Sequence, residues 1–148
     1  MKKATYIVAG VFFALATLAG CAEAEDPSPL LESGNLKAAV QGKWAIKKID
    51  NQLCREYSCN TNYYVGTAQD YFEFRADSAF LVYKENSVQQ KICFKADYSR
   101  KGVIKLNTAS WVGDFVVEDK GPSNMVLKNE FKGRDPAAVF TDTYYLAK

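Results

Sequence analysis

The feature that most constrains the fold is a series of short runs rich in β-branched and aromatic residues, which turn-forming residues separate from Lys43 onward. In one run Ile92, Phe94 and Ala96 alternate with Lys91, Lys95 and Asp97. That alternation predicts antiparallel strands with one buried face and one wet face, in an up-and-down barrel or a sandwich. Eight runs are predicted strands: KWAIKKI, DYFEF, AFLVYKE, QKICFKADY, GVIKLN, DFVVED, NMVLKNEF and TYYLAK.

A short helix is predicted just before the first of these strands. In NLKAAVQG, Asn35 can cap the first turn, Leu36 and Val40 share one face, and Gly42 can end the helix. No repeat or second composition class follows, so residues 35–148 are predicted to form one all-β domain.

The first twenty residues have the features of an export signal. Lys2 and Lys3 precede the uncharged run YIVAGVFFALATLAG, which is short for a bilayer span and closes with small residues. The ending LAGC resembles the bacterial lipobox, and that resemblance implies cleavage before Cys21 and acylation of this cysteine. A transmembrane anchor and a signal that is cleaved without lipid are the alternatives.

The stretch that follows, CAEAEDPSPLLESG, is predicted to be a flexible tether over residues 21–34, because it is acidic and contains two prolines. Ala22 at the second mature position fits delivery to the outer membrane. The predicted location is therefore the cell envelope, with a lipid anchor in the outer membrane and the domain on its periplasmic or surface face.

Charge argues against nucleic acid as a partner. Removal of residues 1–20 takes two of the 19 Lys and Arg residues and none of the 17 Asp and Glu residues, so the mature counts are equal. A nucleic-acid binder needs a cationic face, and the sequence has no long Lys/Arg run to provide one.

The short helix, the G-K-W triplet at residues 42–44 and about eight antiparallel runs together resemble the lipocalin-like domain of bacterial lipoproteins. The hairpin FEFRADSAF also resembles one of that family, with Ser78 where glycine is usual. The resemblance implies an eight-stranded barrel that binds a small apolar ligand, and implies that Trp44 packs across the closed end. An arginine late in the chain often covers that tryptophan, but the last strand here, DTYYLAK, has none.

Several kinds of chemistry lack the residues that they need. The chain has no histidine, which is the commonest general base and metal ligand. It also lacks a G-x-S-x-G elbow, a glycine-rich phosphate loop and an Asp-rich calcium loop. We therefore predict that the protein is not an enzyme and has no cofactor or metal.

Cys54, Cys59 and Cys93 remain after Cys21 takes lipid, an odd number in an oxidising compartment. Cys54 and Cys59 could close a small loop and leave Cys93 free. Alternation places Cys93 on a face with lysines, where a free thiol is a liability, so pairing of Cys93 with one of the other two is favoured. A metal site that uses all three thiolates is the third alternative.

The segment from Cys54 to Asp70 is predicted to be a loop that carries Tyr63 and Tyr64. Tyrosines at such a position form a recognition surface, a lid over a cavity, or a cover for the barrel end. Trp111 has a similar choice between core and rim. An alternative function follows: an interaction or inhibitor module that binds an envelope protein through the 54–70 loop.

The predicted interior is aromatic and large, so a filled barrel and an open cavity are both compatible with the sequence. Ile46, Leu106 and Val117 are also assigned to the interior. The predicted ligand contacts are Trp44, Phe72, Phe74, Phe94, Tyr98, Phe115, Leu127 and Tyr144.

Overall fold

The computed structural model describes residues 33–85 and 87–148. One helix, α1, precedes nine strands. Their bounds are Ser33–Val40 for α1, Gly42–Arg55 for β1, Ser58–Val65 for β2, Tyr71–Phe74 for β3, Ser78–Glu85 for β4, Val88–Arg100 for β5, Val103–Asn107 for β6, Val112–Asp119 for β7, Asn124–Lys132 for β8 and Ala138–Ala147 for β9. The predicted signal peptide, Cys21 and nearly all of the predicted tether lie outside the described residues. Within residues 33–85 and 87–148, no helix has the length and apolar character needed to cross a bilayer.

The nine strands form one antiparallel sheet, and pairing of β1 with β9 closes it into a barrel. Strands β2 and β3 lie end to end on the other side of β1. Lys48 pairs with Val65 of β2, whereas Ala45 pairs with Tyr71 of β3. Nine segments therefore occupy eight positions around the barrel. The predicted all-β, antiparallel barrel of about eight strands with a short preceding helix is confirmed.

Each of the eight predicted runs corresponds to a strand, and the helix begins at Ser33, two residues before the predicted Asn35. The prediction of a loop over residues 54–70 was wrong for its first part. There β1 continues to Arg55 and β2 returns beside it. Strand β2 has no buried side chain and lacks the alternation that marks the others, because it lies at the edge of the sheet and β1 is its one strand partner among the described residues.

One end of the barrel is closed by α1 and Trp44. Leu36 and Val40 of the helix are buried, and the Trp44 indole Nε1–H donates a 2.7 Å hydrogen bond to the Val40 carbonyl. The Lys148 ammonium nitrogen lies 4.4 Å from the centre of the Trp44 ring. A lysine thus covers this tryptophan, at the place where the family resemblance led us to look for an arginine.

Candidate functional site

The opposite end of the barrel contains a partly open cavity of about 680 Å³. The β1–β2 hairpin, Ser87 between β4 and β5, and the connections at residues 108–111 and 133–137 lie at this end. A volume of this size is within the range of small-molecule sites, about 300–1,000 Å³. The lining residues are Ile49, Asn51, Tyr64, Phe72, Leu81, Tyr83, Lys84, Ile92, Phe94, Thr108, Trp111, Phe115, Asn129, Asp142 and Tyr144.

Aromatic rings from four strands form the inner part of this cavity. The Phe72 side chain is fully buried, and its ring centre lies 5.7 Å from that of Tyr144 and 6.4 Å from that of Phe115. The Trp111 ring lies 6.0 Å from both Phe94 and Phe115. All four of these contacts are edge-on, the arrangement that the charge distribution of aromatic rings favours.

The structure divides the predicted ligand contacts into two groups. Four line the cavity: Phe72, Phe94, Phe115 and Tyr144. The other four are buried without lining it: Trp44, Phe74, Tyr98 and Leu127. Side chains therefore fill the barrel at the closed end and leave it hollow at the open end. Ligand contact itself stays a prediction for all eight.

Tyr98 illustrates the filled part. Its hydroxyl donates a 2.8 Å hydrogen bond to the Arg75 carbonyl at the connection between β3 and β4. Burial, together with the nearby Asp77 charge, raises the pKa of Tyr98 to about 12. A phenol in this position is a structural group that anchors β5 to the neighbouring turn.

A polar band that the sequence reasoning did not identify crosses one wall of the cavity. Asp142 of β9 is the cross-strand partner of both Asn51 of β1 and Asn129 of β8. The Asn51 amide donates a 2.7 Å hydrogen bond to Asp142 Oδ1. Strand alternation could have placed Asp142 and Asn129 in the interior. Each lies two residues from a residue that was assigned to the interior, Tyr144 for Asp142 and Leu127 for Asn129.

Tyr64 joins the β1–β2 hairpin to β4 at the rim of the cavity. Its hydroxyl donates a 2.8 Å hydrogen bond to Asp70 Oδ2 and accepts one of 3.2 Å from the Lys84 backbone N–H. The Tyr64 ring also contacts Tyr83 edge-on at 6.2 Å. These contacts bridge the space between β2 and β4, which do not pair with each other.

Asp70 is the buried anchor of this bridge, with 1% of its surface exposed. Burial alone would raise the pKa of Asp70. Hydrogen bonds from Thr67, Tyr64 and Lys84 act in the opposite direction, and the net pKa is lowered. The chain makes a close approach just before, at Gly66, where a Cβ atom would lie 1.8 Å from the Ile46 carbonyl oxygen.

The predicted rim residues separate into inward and outward positions. Tyr64 and Trp111 line the cavity, while Tyr63 is 69% exposed on the outer face of β2. The Lys48 ammonium lies 4.7 Å from the centre of the Tyr63 ring. Neighbouring residues on a strand face opposite sides, so Tyr63 and Tyr64 cannot serve the same surface.

The favoured pairing of Cys93 was wrong. Cys54 and Cys59 are direct cross-strand partners and form a disulfide, and Cys93 is free and exposed on β5. The prediction depended on a flexible 54–70 loop that could reach Cys93, whereas the β1–β2 hairpin holds the two nearer thiols opposite each other. Across residues 33–85 and 87–148, no three metal-ligating side chains cluster together.

Comparison with known proteins gives likenesses of fold. No family model matches the chain, and no curated protein matches it. Among solved structures, the bovine lipocalin allergen Bos d 2 is 14% identical with a TM-score of 0.47, over 76% of this chain and 74% of that one. Insecticyanin from the tobacco hornworm Manduca sexta is 13% identical with a TM-score of 0.48, over 83% and 67% of the two chains. Both likenesses are too distant to assign a ligand or an activity.

Proposed function

We propose that this chain is a binding protein whose barrel holds one small, mainly apolar ligand, as the lipocalin resemblance of its sequence implies. The observation that carries the proposal is the cavity of about 680 Å³ with aromatic walls at the open end. A cavity that is concave, largely apolar and marked by a few polar groups is the usual form of a small-molecule site.

A binding role accounts for the cavity better than catalysis does. The sequence has no histidine, and among the described lining residues Asp142 is the one carboxylate. General acid–base chemistry on a bound substrate usually needs two groups with different proton affinities. The cavity thus offers recognition without an evident proton-transfer pair.

Native mass spectrometry of the chain purified from its own envelope tests this proposal. We expect a non-covalent adduct that leaves on denaturation, because an apolar cavity of this volume retains a ligand through purification. Ile92→Trp should reduce the adduct, since Ile92 lines the cavity, and Val116→Trp on the outer face should not. A bare mass after exposure to an extract of envelope lipids would contradict the proposal.

We also propose that acylated Cys21 anchors the domain to the outer membrane. The support comes from the sequence, namely the basic start, the short apolar run and LAGC. The chain should incorporate radiolabelled fatty acid in a bacterial host and fractionate with the outer membrane. Cys21→Ala should abolish the label, and persistent label would overturn this assignment.

The β1–β2 hairpin favours a second candidate function, the binding of an envelope protein. Tyr57, Tyr63 and Val65 are exposed on this disulfide-linked hairpin, at 103%, 69% and 75% of their full surface. Rigid exposed tyrosines are typical of protein contacts. Tyr63→Ala should weaken capture of a partner from envelope extracts and spare ligand retention, whereas Ile92→Trp, which acts inside the cavity, should do the reverse. Equal effects of both variants would leave the hairpin without a separate role.

A further inference from the structure

Three of the polar side chains that line the cavity lie together on one wall. Asn51, Asn129 and Asp142 all line the cavity and are cross-strand neighbours on β1, β8 and β9. Asp142 lies two residues nearer to the open end than Tyr144, whose ring contacts Phe72 and Phe115. The cavity therefore has an apolar inner part and a polar site close to its mouth.

The charge at this polar site is negative and unpaired. Asp142 and Lys84 are the charged residues among the described lining residues, and Lys84 is exposed at the rim. No ion pair within the described part of the chain includes Asp142, and Asn51 is the one described donor to its carboxylate, through Oδ1. Asp142 is only partly buried and no described cation pairs with it, so its carboxylate is open to a positively charged ligand group.

Asn129 gives a second, independent observation at the same place. It is a 2% exposed residue that lines the cavity, and no hydrogen bond among the described residues involves its side chain. Its side-chain amide is not among the fully buried polar atoms that lack a partner, so it opens to the cavity, where a bound group can reach it. Its carbonyl oxygen offers an acceptor for an N–H donor bound beside Asp142.

Aromatic rings that line the cavity suit a cation as well. Tyr83 and Tyr144 line the cavity, and the Asp142 charge acts on the Tyr144 hydroxyl. Burial first, and then this charge, raise the pKa of Tyr144, so its phenol stays neutral. The faces of tyrosine and tryptophan rings attract ammonium groups at distances up to about 6 Å.

We infer that the ligand of this barrel is an amphiphilic cation, a protonated primary or secondary amine on a compact apolar body. The ammonium group pairs with the free Oδ2 of Asp142 and donates to Asn129, while the apolar body lies against Phe72 and Phe115. This inference rests on the proposed binding function and names the class of ligand for that same cavity.

Three probes that share one apolar group and differ in the charge of the head group test whether the cavity prefers a cation. They are 2-(2-naphthyl)ethylamine, 2-(2-naphthyl)ethanol and 2-naphthylacetic acid, which at pH 7 are cationic, neutral and anionic. Isothermal titration calorimetry of the full chain with each probe gives each dissociation constant. We expect the amine to bind about tenfold tighter than the alcohol, the gain of a hydrogen-bonded charge pair.

Asp142→Asn should remove about tenfold from the affinity for the amine and leave the affinity for the alcohol unchanged, which also shows that the barrel is intact. Glu130→Gln is the matched control. Glu130 follows Asn129 on β8 and is exposed, so this substitution removes the same charge from the outside of the barrel. It should change neither affinity by more than about twofold at 0.15 M salt.

The outcomes distinguish this inference from the proposal on which it rests. Equal binding of the amine and the alcohol overturns the amine assignment and leaves a barrel that binds apolar molecules. Tightest binding of the acid also overturns it, and would transfer recognition of the head group to Lys84. If none of the three binds, the proposed binding function fails, and the amine assignment fails with it.

Discussion

The two ends of the barrel use the same kinds of residue for opposite purposes. At the closed end, Trp44 is 4% exposed, bonded to the helix through its indole and covered by Lys148. At the open end, Trp111 is half-buried and faces the cavity, with ring contacts to Phe94 and Phe115. One tryptophan therefore completes a packed core, while the other lines a space that a ligand can fill.

The difference shows what a sheet alone cannot supply. Closing a barrel requires something across its end, and here an eight-residue helix provides Leu36 and Val40 for Trp44 to pack against. No such element covers the open end within the described residues. Instead, the β1–β2 hairpin stands beside the mouth and is tied to β4 by the Tyr64 hydroxyl.

The largest effect is expected from Trp44→Ala, which should lower the free energy of unfolding by about 3–5 kcal/mol, since it leaves a cavity in a packed region. Trp111→Ala should cost clearly less, because its ring already borders open space. Urea unfolding monitored by circular dichroism measures both. If the Trp111 variant loses as much stability as the Trp44 variant, the contrast between the ends is wrong.

The disulfide should matter less, because it closes a short loop in a hairpin at the edge of the sheet. Replacing both Cys54 and Cys59 by alanine is expected to cost at most about 2 kcal/mol by the loop-entropy relation. Amide hydrogen exchange should speed up in β2 and stay unchanged near Trp44. Cys93→Ala, at an exposed position, is the control and should stay within about 0.5 kcal/mol of the parent.

The Tyr64–Asp70 bridge gives the open end a dependence on acid pH. The pKa of Asp70 is lower in the folded chain than its ordinary 3.8, so its ionised form contributes stability above that pH. This contribution is lost as the pH falls from about 4 through the folded pKa. Asp70→Asn should therefore flatten the decline of unfolding free energy between pH 4 and pH 2, and an unchanged slope would exclude Asp70 as a source of it.

Tyr64→Phe isolates the hydroxyl of the same bridge. We expect a loss of about 1–2 kcal/mol, because the buried Asp70 carboxylate and the Lys84 N–H each lose a partner. Tyr63→Phe is the matched control, since the neighbouring hydroxyl is on the exposed outer face. Similar losses for the two variants in urea unfolding would show that the bridge contributes nothing specific.

The smallest effect concerns Lys148 over Trp44. Lys148→Ala should cost about 0.5–1 kcal/mol, the usual contribution of an exposed cation over an aromatic ring, and Lys148→Arg should restore it. A variant series in thermal unfolding checks this. If the arginine variant is no more stable than the alanine variant, the cation does not contribute to the closed end.

The fold was largely predictable, because local patterns carry it. Alternation in β5 placed Phe94, Ala96 and Tyr98 inside, and all three are buried. Strand β2 was missed because its polar residues CNTNYY show no buried face. Its existence depends on backbone pairing with β1, which a pattern of side-chain hydrophobicity does not reveal.

The site was predictable only in part. Phe72, Phe94, Phe115 and Tyr144 were correctly placed in the interior, but nothing in their spacing distinguished them from Phe74 or Leu127, which lie in the filled half. The polar wall was not predicted, since Asn51 and Asp142 are 91 residues apart and meet only through the closure of β1 on β9.

By itself, the sequence determined the strand runs, the turns, the capping helix and the faces of most strands, since each follows from residues that are close together in the chain. The tertiary structure alone decided which half of the barrel is hollow, which cysteines are joined, and which polar groups face the cavity. Those properties depend on side chains that are far apart in the sequence and come together only when the barrel closes. They also depend on the volume that these side chains leave unfilled.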